Sequence, residues 1–472
     1  MKRVLFFLCL AATMGAKAQT FNHYTTTEQQ PWHTAAPVGL TGKRAAAPTL
    51  TLTGNEQGHV FRAWGTCFNE LDLDALEQLK PEQQEEVMRR LFAPDGDLRF
   101  TRGRLTMNAN DYSRAWYSCD TVAGDFALRY FNIEHDKQNV IRLIRKAQRY
   151  QPALTFWVSP WSPPAWMKIN QDYPVLSSQW NRQPKEKDYL LYDDGGRPDP
   201  NEMQFQDNQR GNLFPRRLAT QNFFIQDPRY LQAYANMFCR FIELYAEERI
   251  PIDMVMYQNE AYSYTPYPGC AWTAEGTIRF NRDFLAPTLR QKHPEVKLYL
   301  GTFNTNRQDY VQRIVDGLKG QVEGLGFQWE GRENLDYMRE HHPNLHLVSS
   351  ESECGNGSMD WSAGEHTFHL LCDYVGRGCD EYFIWNFILC DQGRSTWGWN
   401  QNALIRVSTA DHSFSYRPEY YAVKHFSHFV QPGSRVLAYA SREQTGGMPV
   451  AADLEATRPA NPVFDLVSCK FS

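Results

Sequence analysis

Two short apolar runs in this chain end in a carboxylate. Met254-Val255-Met256-Tyr257 is followed by Gln258-Asn259-Glu260, and His346-Leu347-Val348-Ser349-Ser350 is followed by Glu351. Runs of large apolar residues this short suit strands covered on both faces, as in a parallel sheet, which puts each polar tip at a strand's carboxyl end. Two carboxyl groups on one rim can break a glycosidic bond: one protonates the leaving oxygen while the other attacks the sugar or activates water. A gap of about 5 to 5.5 Å suits attack and retention, and roughly 6.5 Å or more suits water and inversion. A lone Glu at a strand end is usually a surface or capping residue; the second Glu and the buried approach favour chemistry. Glu353 rivals Glu351, because it shares the same strand face if the strand runs on.

The elements that must position this pair can be read from alternation along the chain. Strand-like runs fall at 61–67, 99–105, 154–160, 254–259, 297–302, 324–329, 346–351 and 382–387, with helical patterns between them at 71–92, 136–150, 228–248, 273–292 and 361–376. Asp227-Pro228 supplies a capping residue followed by proline at the first helical position. Eight strands alternating with helices predict a (β/α)8 TIM barrel over residues 60–433, whose carboxyl rim carries the site. The segment 171–227 is polar and aperiodic, long for a connection, and leaves the third strand on that rim. It is expected to overhang the cleft, with a plain surface insertion as the alternative.

Composition narrows the function classes. The 472-residue chain carries a net charge of −5, which gives no basic footprint for nucleic acid. No run is long and apolar enough to span a membrane. Lys2 and Arg3, the apolar run 4–12 and Ala16-Lys17-Ala18 have the form of a cleavable signal peptide, residues 1–18, so secreted or periplasmic export with cutting after Ala18 is expected. Beyond it nine of the ten cysteines remain, without CxxC pairs; Cys372 with Cys379, or Cys354 with a neighbour, are candidates for a bridge. His341-His342 and His366/His369 have no carboxylate or Cys at ligand spacing, so no metal is expected. Aromatic residues make up 14% of the chain, enough for a large core and for rings against sugar faces, the core being the ordinary use.

Several motifs stand in order on these runs: Arg104 with Asn110-Asp111-Tyr112-Ser113, then Ser159-Pro160-Trp161-Ser162-Pro163-Pro164-Ala165-Trp166-Met167-Lys168, Gln258-Asn259-Glu260, Ser350-Glu351-Ser352-Glu353-Cys354-Gly355, Tyr382-Phe383-Ile384-Trp385-Asn386 and Ser395-Thr396-Trp397-Gly398-Trp399. Together they resemble glycoside hydrolase family 30, the family of lysosomal glucosylceramidase. The resemblance implies a retaining β-glycosidase that needs no cofactor, with Glu260 as general acid/base and Glu351 as nucleophile. It places Asn259 on a sugar hydroxyl, Arg104 beside the nucleophile, and Trp161 and Trp385 as ring walls, with core filling as the alternative for Trp161 and, more so, for Trp166. A buried Arg would keep the nucleophile ionised, and partial desolvation would keep the acid protonated. Where the family carries an Asp after the first strand, this chain offers Glu70. Trp329 is a further candidate contact, and the loop 261–272, with Tyr262, Tyr264, Tyr267 and Trp272, a candidate platform for the leaving group.

The family also implies a β-sandwich built from both ends of the chain. Residues 19–59, with the β-prone run 49–53, and residues 434–472, with runs at 436–440 and 464–467, are its candidates. The second segment is short for that role, so a truncated sandwich with an unpaired edge is expected. The expected substrate is a β-linked glucoside or β-1,6-glucan. Xylosides or fucosides are the alternative within the class, and a carbohydrate-binding relative with impaired catalysis is the alternative outside it.

Overall fold

The computed structural model describes residues 20–39, 50–52, 59–187, 221–436 and 439–441. Eight parallel strands close into a barrel: β1 (Ala63–Cys67), β2 (Arg102–Leu105), β3 (Thr155–Val158), β4 (Ile252–Met256), β5 (Lys297–Phe303), β6 (Gly324–Gln328), β7 (His346–Glu351) and β8 (Cys379–Ile384). The TIM barrel read from the alternation is therefore present. All eight strands overlap the expected runs, β4 beginning two residues and β8 three residues earlier than expected. β4 stops at Met256 and β8 at Ile384, which leaves Gln258, Asn259, Glu260, Trp385 and Asn386 in the rim loops.

Period-2 alternation explains the barrel wall. Met254 and Met256 of β4 point inward and join Trp157, Tyr299, Val348 and Phe383 in a buried inner layer, while Val255 and Tyr257 face the helices. A Cβ on Gly65 would stand 2.3 Å from the Phe383 ring, so only glycine lets that ring fill the interior.

Prolines divide the helical layer. The expected 71–92 helix is two helices, Glu70–Glu77 and Pro81–Phe92. The 273–292 helix runs from Ala274 with a wide turn over Asn281–Leu285 just before Pro287, which has no N–H to complete the ladder. Asp227 caps Pro228–Glu247 by accepting from the Arg229 N–H at 2.8 Å. Among the described residues no helix is long and apolar enough to cross a membrane.

Outside the barrel, Thr20–Thr25 pairs with His33–Gly39, and Leu50–Leu52 pairs antiparallel with Tyr439–Ser441, so the two ends of the chain do share a small sheet. The signal-peptide run, residues 188–220 of the insertion and the 464–467 run lie outside the described residues. A further three-stranded sheet, Ile388–Cys390, Ile405–Val407 and Phe414–Tyr416, follows β8. The expected bridges involving Cys372, Cys379 and Cys354 are not formed: these three are free thiols, as are the other five described cysteines. Cys372 sits on the outer helix Trp361–Gly376 and Cys379 opens a barrel strand, on separate layers.

Candidate active site

Glu351 reaches the barrel mouth because of a β-bulge. Along β7 and β6, Ser349 pairs with Phe327 but Glu351 pairs with Gln328, so Ser350 is an extra residue in the ladder. The Ser350 hydroxyl donates to Phe327 O at 3.1 Å and to Gln328 Oε1 at 2.9 Å, which fixes the extra residue in place. A bulge re-aims the side chain that follows it. Val348 points inward, plain alternation would send Glu351 outward with Leu347, and the bulge returns it to the interior. Glu353 is carried away from it, to an ion pair with Arg332 and a 2.9 Å contact with His366 that hold its carboxyl below the usual range despite burial.

Arg104, fully buried on β2, organises the floor. Its guanidinium donates to Glu351 Oε2 at 2.6 Å and Ser350 O at 3.0 Å on one side, and to Asn259 Oδ1 at 2.7 Å and Ser159 Oγ at 3.0 Å on the other. Its cation lies 4.7, 4.4 and 5.5 Å from the ring centres of Trp157, Trp161 and Trp385. Trp161 and Trp385 stack on each other at 4.8 Å and belong to an aromatic cluster around the site, separate from the main core. Asn259 Oδ1 also accepts from Thr302 at 3.2 Å and Gln328 at 3.2 Å. Arg104 can only donate, so this oxygen is identified and spent, and what Asn259 offers a ligand is Nδ2.

Glu260 has a different environment. It takes a positive φ of 45°, rare for a side chain of this kind, and its N–H donates to Thr302 Oγ1 at 3.1 Å. Its carboxyl accepts from the Tyr267 hydroxyl at 3.0 Å and Gln328 Nε2 at 3.1 Å. Burial, and then the charge of Glu351, push it up to about 8 against the pull of these donors. Burial also raises Glu351, but Arg104 and hydrogen bonds from Trp329 and Gln328 oppose it. With the cation in direct contact, Glu351 is the member of the pair that ionises first.

The other expected contacts divide. Trp329, at a positive φ of 51°, joins the site through Glu351. Glu70 does not: both its oxygens are taken, by His135 and by the Arg114 N–H at 2.7 Å. Tyr262 does not either; it stacks on Phe303 at 6.1 Å and meets Tyr310 edge-on at 4.9 Å in the main core. The 261–272 loop is no exposed platform, since Tyr262, Tyr264, Tyr267 and Trp272 are all buried, and only Tyr267 reaches the pair. The loop folds inward because its backbone is tied to the chain after β3, with Val175 and Leu176 N–H both donating to Thr265 O. His341 bonds the Tyr337 carbonyl and His342 meets Gln312, both ordinary packing roles.

Two site residues carried no role in the sequence reading. Gln328, at the end of β6, touches both glutamates. Asp111 has a buried Oδ1 without a hydrogen-bond partner, and burial followed by the charges of Glu351 and Glu260 raises its carboxyl well above the usual range. The turn presenting Asp111 is held by Asn110, which accepts from Tyr112 N and donates to Asn69 and Thr106. The signal available was a carboxylate in a turn-forming Asn-Asp-Tyr-Ser run just past a strand.

A barrel that sets two glutamates of unequal proton affinity at the ends of β4 and β7, with a third acid and stacked rings beside them, belongs to the glycoside hydrolases. The model of the glycosyl hydrolase family 30 TIM-barrel domain matches residues 17–183 and 223–430, and the chain belongs to that family. It is 24% identical over 408 residues to putative glucosylceramidase 1 of Caenorhabditis elegans, covering 82% of this chain and 69% of that protein. It is 23% identical over 419 residues to lysosomal acid glucosylceramidase of Mus musculus (84% and 73%), and 21% over 434 residues to an endo-1,6-β-D-glucanase of Neurospora crassa (86% and 78%). Among solved structures, SrfJ from Salmonella typhimurium superposes with a TM-score of 0.70 at 18% identity, over 86% of this chain and 84% of that one. An endo-β1,6-glucanase superposes at 0.68 and 20% identity, over 90% and 87%. At such identities the structural likeness speaks to the fold.

Proposed function

We propose that the chain is a retaining β-glycosidase acting on β-glucosidic linkages, either a glucosylceramide-type glucoside or a β-1,6-glucan, by double displacement. The observation that carries the division of roles is the asymmetry of Arg104: it contacts Glu351 and not Glu260. Glu351, kept ionised, attacks the anomeric carbon. Glu260, kept protonated, gives its proton to the leaving oxygen, and a glycosyl ester on Glu351 results. Esterification removes the negative charge of Glu351, the second cause of Glu260's raised value, so Glu260, having given up its proton, stays ionised and acts as the base that takes a proton from water as it attacks the ester.

Glucosidic linkages are favoured by the names of the relatives, which include glucosylceramidases and a β-1,6-glucanase. The unpartnered Oδ1 of Asp111 and the Nδ2 of Asn259 are the polar groups offered to sugar hydroxyls. Export is part of the same reading, supported by the signal-like residues 1–18; a mature protein beginning at Gln19 would bear it out.

The test is hydrolysis of aryl β-glucosides, aryl β-xylosides and β-1,6-glucan, with Glu351→Gln as control and the anomer of the first-formed product read by NMR. β-Product from a β-glucoside or β-1,6-glucan supports the proposal. α-Product refutes retention, xyloside preference refutes the sugar, and retention of glycan on a column with no cleavage of any substrate refutes the enzyme in favour of a binding protein.

A further inference from the structure

Lys168, at the end of the short Ala165–Met167 turn after β3, is fully buried. Among the described residues no carboxylate forms an ion pair with it. Its Nζ instead donates to three main-chain carbonyls, of Tyr173 at 2.6 Å, Pro174 at 3.1 Å and Gly269 at 2.7 Å, and lies 3.4 Å from Ser162 Oγ. The first two belong to the chain following β3 and the third to the loop following β4. A buried ammonium is costly unless its donors are filled, so these carbonyls must stay together around it.

What the clamp holds is the turn bearing Tyr267. Gly269 N–H donates to Tyr173 O at 3.1 Å, Thr265 Oγ1 donates to Tyr267 O at 3.0 Å, and Asn181 Nδ2 ties Leu176 O and Pro266 O together at 2.9 and 2.8 Å. Tyr267 stands inside this braced turn and donates to Glu260 Oε2 at 3.0 Å. Its ring is packed on Trp399 at 5.0 Å.

We propose that Lys168 is a positioning residue for the acid step: by joining the loops after β3 and β4 through their carbonyls, it holds Tyr267 against Glu260 and so aims the proton of Glu260 at the leaving oxygen. Lys168 touches no substrate in this scheme. The titratable groups around it are Cys270 and Asp172, and those around Glu260 include Glu351, Tyr267, Arg104 and Asp111. The proposal rests on the reading of Glu260 as the general acid.

The experiment is the leaving-group dependence of kcat/KM across aryl glycosides of the sugar selected by the substrate panel, from dinitrophenyl to unsubstituted phenyl. Activated leaving groups depart without a proton, and poor ones need it. Lys168→Met is expected to slow the phenyl glycoside about 10-fold or more beyond any effect on the dinitrophenyl glycoside, since general acid help is worth roughly 10²–10⁴-fold when complete. Asn181→Ala, at a half-buried position of the same brace, should give a smaller change of the same kind. Lys168→Met combined with Tyr267→Phe should add little to either alone. If Lys168→Met does not fold, Asn181→Ala decides. Equal rate losses for all leaving groups, or none, in these variants overturn the proposal, provided Glu260→Gln steepens the dependence. If Glu260→Gln itself leaves the dependence unchanged, the assignment of Glu260 is what fails.

Discussion

The Arg104 guanidinium donates to Glu351 at 2.6 Å from one nitrogen and to Asn259 at 2.7 Å from the other, so one buried cation both favours the ionised form of Glu351 and orients the residue preceding Glu260. Replacing it with Met removes the only described cation bonded to Glu351. The acidic limb of kcat/KM should then move to higher pH, because Glu351 must lose its proton without help, and the rate at the optimum should fall at least about 10²-fold. A pH–rate profile of Arg104→Met measures both, and an unmoved limb would assign that limb to another group.

Glu351→Gln should keep the fold, as Gln fills the same volume, and lower turnover by about 10⁴-fold or more. Glu353→Gln breaks contacts to Arg332 and His366 outside the pair and should leave kcat within about 10-fold of wild type while lowering Tm. Thermal melts beside rates on one substrate separate the two; comparable rate losses in both would contradict the bulge-based assignment.

Stability should depend on pH through Glu260. Its carboxyl moves from an ordinary 4.5 in the unfolded chain to about 8 in the folded one. The folded state therefore keeps a proton that the unfolded state has lost. This contribution is fully present below 4.5 and disappears as pH rises through 8. Gln cannot ionise, so the Tm of Glu260→Gln minus that of wild type should grow between pH 5 and pH 9, by on the order of several degrees. Differential scanning calorimetry at those pH values checks it, and a constant difference would mean that Glu260 is not raised.

Asp111→Asn keeps the shape of the turn but removes a carboxyl whose proton is held by burial and by the charges of Glu351 and Glu260. The loss in kcat/KM on the preferred glycoside should be about 10-fold, the scale of one hydrogen bond to the sugar. Inhibition by the free sugar should weaken in parallel; inhibition at full strength would remove Asp111 from the sugar site.

Most of the barrel was legible because its signal is local. Residues 252–256 or 346–351 show apolar runs of strand length whatever surrounds them, and the spacing of eight such runs admits few closures. The terminal sheet was legible in outline for the same reason. Errors came where a residue's use depends on a distant partner. Glu70 looked available for sugar until His135 and the Arg114 N–H took both its oxygens. The aromatic loop 261–272 looked like a platform until hydrogen bonds from Val175 and Leu176 drew it inward. Gln328 had no sequence signal beyond polarity, and the turn-forming run around Asp111 marked a carboxylate past a strand without its role, because what distinguishes both is their proximity to two glutamates from other strands.

The sequence by itself determined that eight buried strands alternate with helices and that Glu260 and Glu351 stand at the carboxyl ends of two of them, since period and polarity are properties of neighbouring residues. Which carboxylate enters the mouth, Glu351 or Glu353, and which of the pair ionises first were decided only in three dimensions. The first depends on one extra residue, Ser350, in the ladder between β7 and β6, and the second on a guanidinium from β2. Both are contacts between strands, and period and polarity along one strand do not encode them.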